Sequence, residues 1–102
     1  MIDSACITDL QSYIKRRVAY ARYRIARDYH KTAITDIDTM SDGTVRIKMV
    51  ITPETVPATI TRVELYNSDG ELWAHQACNI TIQQASSGIL FWFDISLLDG
   101  GN

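Results

Sequence analysis

Residues 12–31 read SYIKRRVAYARYRIARDYHK, seven cations and four tyrosines in twenty positions of a chain whose net charge is only -2. How this stretch folds decides the architecture. Ile7, Leu10, Ile14, Val18, Ala21 and Ile25 recur every three or four positions, the period of a helix, so the spacing predicts one amphipathic N-terminal helix that ends at Lys31. At 100° per residue the apolar stripe spans only about 80°, which suits a helix lying along one surface or a coiled-coil seam. Asp3 or Ser4 can cap its start, and Arg24, Arg27 and Lys31 fall toward the end where the helix dipole favours cations.

On that helix Arg17 and Arg24 flank one side of the stripe, with Tyr13 and Tyr20 just beyond, and Lys15 and Arg22 flank the other. Arg16, Tyr23 and Arg27 lie on the far face. Three readings fit. The cations dock on acidic protein surface, or their stems cover the stripe while their heads stay wet, or cations interleaved with tyrosines hold phosphates and bases. Residues 1–31 carry seven Lys or Arg against three acids, +4, and residues 32–102 carry three against nine, -6. So acidic a remainder favours contact with protein over nucleic acid.

After Lys31 the pattern changes to period two. TVRIKMVIT (44–52) alternates apolar and polar residues as a half-buried strand does, AITDI (33–37) is a weaker strand, and SDG (41–43) turns between them. Pro53 and Pro57 bracket a loop. TITRVELY (59–66), the turn NSDG (67–70) and ELWAHQA (71–77) form a hairpin. CNITIQQ (78–84), a turn at SSG (86–88) and ILFWFDISLL (89–98) follow, and LLDGGN closes the chain as a tail. The expected fold is α+β: an N-terminal basic helix, residues 1–31, then an antiparallel five- to six-stranded sheet or small β-sandwich, residues 32–102, in one compact domain.

In the last strand Ile89, Phe91, Phe93, Ile95 and Leu97 share one face and Leu90, Trp92, Asp94, Ser96 and Leu98 the other. Both faces are apolar. Trp73 poses the same question as Trp92: either the N-terminal helix covers the second face, or that face is a binding patch.

Catalytic chemistry finds no local signature. His30 and His75 lack metal-ligand spacing, ASSGI is short of a nucleophile elbow, and the glycines sit at turns rather than in a phosphate loop. Cys6 and Cys78 make neither a zinc site nor a disulfide framework and read as buried reduced thiols. No enzyme, cofactor, metal or membrane span is expected, and no secretion signal stands at the start.

The stretch ITRVELYNSDGELWA (60–74), followed by NITIQQASSGILFWFDISLL (79–98), resembles a hairpin pattern of small tail and baseplate-region proteins of tailed bacteriophages and prophages. The resemblance implies a non-enzymatic virion part that contacts other subunits, phage or host, through its surfaces, as a homo-oligomer, in the bacterial cytoplasm or the assembled virion. The alternative is a small phage-encoded inhibitor or adaptor that binds a bacterial defence or nucleic-acid-processing complex. Candidate contact residues are Tyr13, Lys15, Arg16, Arg17, Tyr20, Arg22, Tyr23, Arg24, Arg27, Trp73 and Trp92.

Overall fold

The computed structural model describes residues 3–84 and 88–96. One helix, α1 (Ser4–Arg17), leads into seven strands: β1 (Val18–Ile25), β2 (Asp28–Ala33), β3 (Asp36–Thr39), β4 (Val45–Ile51), β5 (Ala58–Asn67), β6 (Leu72–Ile82) and β7 (Ile89–Ile95). The strands form two antiparallel sheets, β2-β1-β5-β6 and β3-β4-β7. The helix expected to reach Lys31 therefore stops fourteen residues earlier, and the stretch from Val18 supplies two strands.

The physical reason lies in two periods that the same residues satisfy. Val18, Ala21 and Ile25 continue the helical stripe, yet YARYRI also alternates: Ala21 and Tyr23 are buried, whereas Tyr20, Arg22 and Arg24 keep partial exposure on the opposite face. Tertiary pairing decides between them. β1 is a central strand with ladders to β2 on one side and β5 on the other, so its backbone groups are satisfied without helical bonds. β-Branched Val18 and the two tyrosines suit a pleated, half-buried surface. Lys15, Arg16 and Arg17 occupy the last turn of α1, where the dipole welcomes them, and the Val18 N–H still donates to the Ile14 carbonyl as the chain extends. Asp3 is the N-cap residue but makes no side-chain cap bond; its carbonyl accepts from the amides of Cys6 and Ile7.

The turn into β2 holds only Ala26 and Arg27, with Ala26 at φ 56°. Gly43 (φ 93°) and Gly70 (φ 77°) take the left-handed positions of the β3–β4 and β5–β6 turns, where glycine carries no steric penalty. The two stretches read as separate strands, ELWAHQA and CNITIQQ, join as β6, with register irregularities against β5. The expected turn at 86–88 and tail at 97–102 lie largely outside the described residues.

The core lies between the sheets. Val45, Ile47, Met49 and Ile51 from β4 meet Ala21 from β1 and Ile60, Val63 and Leu65 from β5, all fully buried. α1 caps one end: Ile14 is buried, Gln11 donates to the Gly43 carbonyl at 3.3 Å, and Arg17 pairs with Asp69 at 2.7 Å. Leu10 and Tyr13 stay exposed, so the helix covers neither sheet's outer face. Among the described residues no helix is long and apolar enough to cross a membrane.

Candidate functional site

Two outer faces carry the chemistry. On the four-stranded sheet, cross-strand register sets Tyr20, Arg22 and Arg24 of β1 beside Ala33, Lys31 and Tyr29 of β2 and beside Tyr66, Glu64 and Arg62 of β5. Glu64 lies at the centre, only 4% exposed. Its Oε1 accepts from Arg22 Nε and Nη2 at 3.0 and 2.8 Å and from the Tyr66 hydroxyl at 2.8 Å, and its Oε2 accepts from Arg62 Nε at 2.8 Å. Burial pushes the Glu64 carboxyl up, but the bonds from Arg22, Tyr66 and Arg62 outweigh it and hold the group below its ordinary value. The bond to Glu64 likewise raises Arg22.

Tyrosines and cations layer over that centre. Tyr20 and Tyr66 stack with ring centres 5.0 Å apart, Arg22 sits 4.2 Å from the Tyr29 ring and 4.9 Å from Tyr66, and Lys31 Nζ lies 4.1 Å from the Tyr20 ring. Arg24 Nε donates to the Thr61 hydroxyl. This face satisfies itself, since its buried acid and most of its rings already have partners within the fold.

The three-stranded sheet differs. Its outer face carries Val50, Leu90 and Trp92, 41%, 51% and 44% exposed, with Val50 opposite Leu90 and Lys48 opposite Trp92 in the ladder. Charges rim the patch and are already paired: Arg46 with Asp94 at 2.8 and 3.0 Å, and Lys48 with Asp38. The Arg46 guanidinium also lies 4.8 Å from the Trp92 ring. Hydrogen bonds from these cations draw the Asp94 and Asp38 carboxyls down.

The edges sharpen the contrast. Edge strand β3 carries Asp36 and Asp38, β2 carries Asp28, His30 and Lys31, and β6 interposes His75, Gln76, Asn79 and Thr81. β7, the remaining edge, is apolar at six of seven positions and has no partner on its outer side among the described residues. Its inward residues Ile89, Phe91, Phe93 and Ile95 are only half-buried. An edge that lacks proline, and whose one charge, Asp94, is already held by Arg46, is open to pairing with another strand.

The expected contact residues thus scatter. Tyr13, Lys15, Arg16 and Arg17 remain on α1, Tyr20, Arg22, Tyr23 and Arg24 move to β1, and Arg27 sits in the turn. Tyr23, expected on the exposed far face of a helix, is buried instead, because the strand aims it at the core. Trp73 is half-buried against the core on β6, while Trp92 stands exposed on the other sheet; of the two readings offered for its face, cover by the N-terminal helix is the one that fails, since α1 ends at Arg17. Sequence reading missed the roles of Glu64 and Tyr66, whose signal was the pairing of YARYRI with RVELY, visible only once the first is read as a strand, and it missed Val50, which the β4–β7 ladder sets opposite Leu90. Of the thiols, Cys78 is half-buried, whereas Cys6 is exposed on α1, contrary to expectation, because most of α1 faces solvent.

Among the described residues no three His, Cys, Asp or Glu side chains are placed to share a metal ion. No protein-family model, curated protein or solved structure matches the chain.

Proposed function

We propose that the chain is a non-enzymatic structural or accessory protein that works by protein–protein contact, a part of the tail or baseplate region of a tailed bacteriophage or prophage. The phage context rests on the hairpin pattern of residues 60–98. The mode of action rests on one observation: β7 is an unprotected apolar edge whose outer face continues into the exposed patch of Val50, Leu90 and Trp92. Exposed aromatic and aliphatic anchors inside a rim of charges already paired with each other are what a binding hot spot needs, since docking need not strip an unpaired ion of water.

The first occupant is a second copy. Antiparallel pairing of β7 with its twin about a two-fold axis would join two three-stranded sheets into one of six strands, an isologous contact. With Phe91 opposite Phe91 of the copy, each Leu90 faces a Trp92 and no like charges meet. The test is the mass in solution of the wild type and of Leu90→Lys and Trp92→Lys. An oligomer that both substitutions reduce to monomer supports the reading, and an oligomer indifferent to them removes β7 from it.

A second reading draws on the other sheet. Its cations and tyrosines suit the inhibitor or adaptor alternative, in which that face meets a defence or nucleic-acid-processing complex or its nucleic acid. It ranks second because that face is internally satisfied. Anisotropy of a labelled single-stranded oligonucleotide across a salt series tests it, with a steep loss of affinity as salt rises expected if phosphates are held.

A further inference from the structure

α1 has little within its own chain to rest on. Its fourteen residues bury one side chain, Ile14, and the N-cap Asp3 makes no side-chain bond. A free helix of this length is marginal in water, and helices in proteins take most of their stability from a packed amphipathic face. Ile14 and Ile7, the latter packed at Gly43, form the stripe that meets the sandwich. A second stripe lies about 80° round the axis: Cys6, Leu10 and Tyr13, at i, i+4 and i+7. All three are exposed, Leu10 at 37% and Tyr13 at 47%.

Charge along α1 is divided between its ends. Asp3 and Asp9 stand toward the start, and Lys15, Arg16 and Arg17 fill the last turn. Arg17 is held by Asp69, whereas the ion pairs among the described residues include neither Asp9 nor Arg16. Asp9 and Arg16, seven positions apart, share one face beside the second stripe, on its solvent side. The Arg16 guanidinium lies 5.8 Å from the Tyr13 ring.

We propose that α1 pairs antiparallel with α1 of a second copy about a two-fold axis, a contact separate from β7. Setting Leu10 against Tyr13 of the copy, and Tyr13 against its Leu10, leaves each Asp9 two positions from an Arg16 across the seam, about 3 Å along the axis. A parallel pair in register would set Asp9 against Asp9 and Arg16 against Arg16, so the charge pattern accepts its own copy in the antiparallel sense. A helix pair this short buries less than the roughly 1,200 Å² of a stable interface, so the contact is weak, with a dissociation constant of about 1 mM. Chains already joined through β7 present two such helices at once, and the α1 contact then links pairs into larger assemblies.

The test is amide NMR on the full chain carrying Leu90→Lys, which removes the β7 contact and makes the result independent of that reading; Trp92→Lys serves as a second background. On dilution from about 2 mM to about 0.05 mM, shift changes should centre on Cys6, Leu10, Tyr13 and Arg16. Asp9→Arg and Arg16→Asp, both on exposed residues, should each leave the melting curve in place and abolish those shifts. An equimolar mixture of the two, which restores opposite charges across the seam, should bring the shifts back, as should both substitutions in one chain. Leu10→Lys should abolish them without rescue. Shifts that stay flat up to about 2 mM, that survive the single charge reversals, or that fail to return in the mixture overturn the proposal.

Discussion

Glu64→Gln is the substitution that most directly weighs the charged network of the four-stranded sheet. The glutamine keeps the volume and one acceptor oxygen, but loses the charge and turns an NH2 toward groups that donate. Four donor atoms from Arg22, Arg62 and Tyr66 converge on the carboxylate, whose side chain is 5% exposed against 36% and 28% for Arg22 and Arg62. Removing one partner of a fully buried pair costs about 3–5 kcal/mol. Water reaches both guanidiniums and the glutamine still accepts one bond, so the expected loss is about 2 kcal/mol. For a domain of this size that lowers the melting temperature by about 8–16 °C. Urea unfolding followed by far-UV circular dichroism measures it, in a double-mutant cycle with Arg22→Met. A coupling of about 1 kcal/mol or more is expected. A loss under about 0.5 kcal/mol, or additive losses in the cycle, would refute the network as a source of stability.

Tyr23→Ala should cost about 3 kcal/mol because the ring is buried in β1; a loss near zero would put Tyr23 back on a solvated helix face. Acid should unfold the protein through the same network. Glu64 titrates lower folded than unfolded, so its contribution is present above about pH 4.3 and disappears as pH falls through the folded value; Glu64→Gln should flatten that limb of the stability curve, and an unchanged limb would contradict it. Of the two thiols, exposed Cys6 should react rapidly with a disulfide reagent, while Cys78, half-buried and pushed up by burial, should lag; equal rates in the native state would contradict their placement.

The later chain was readable because its signals agree. Alternation in VRIKMVI, the Asp-Gly turn after RVELYN and the apolar run ILFWF each specify a strand, and each is found as one. The N-terminal half of the fold was hidden because Val18, Ala21 and Ile25 satisfy periods of both 3.6 and 2, and nothing local separates them. The hairpin that would have revealed β1 and β2 turns on Ala-Arg, with Ala26 at positive φ, rather than on the Asn-Gly or Asp-Gly that announces such a turn. The tyrosines and arginines of the basic stretch were visible as a set, but their arrangement around Glu64 depends on long-range pairing of β1 with β5. The patch at Trp92 was legible as two apolar faces on one strand; what sequence could not show is that α1 ends too early to cover one of them.

Light scattering behind a sizing column, at physiological salt and about 0.1 mM protein, tests the central claim that β7 and its outer patch are a contact surface between copies. The account predicts a mass at least twice the 11.5 kDa of the chain, falling to that value for both Leu90→Lys and Trp92→Lys. A wild type that stays at 11.5 kDa across the peak would contradict it.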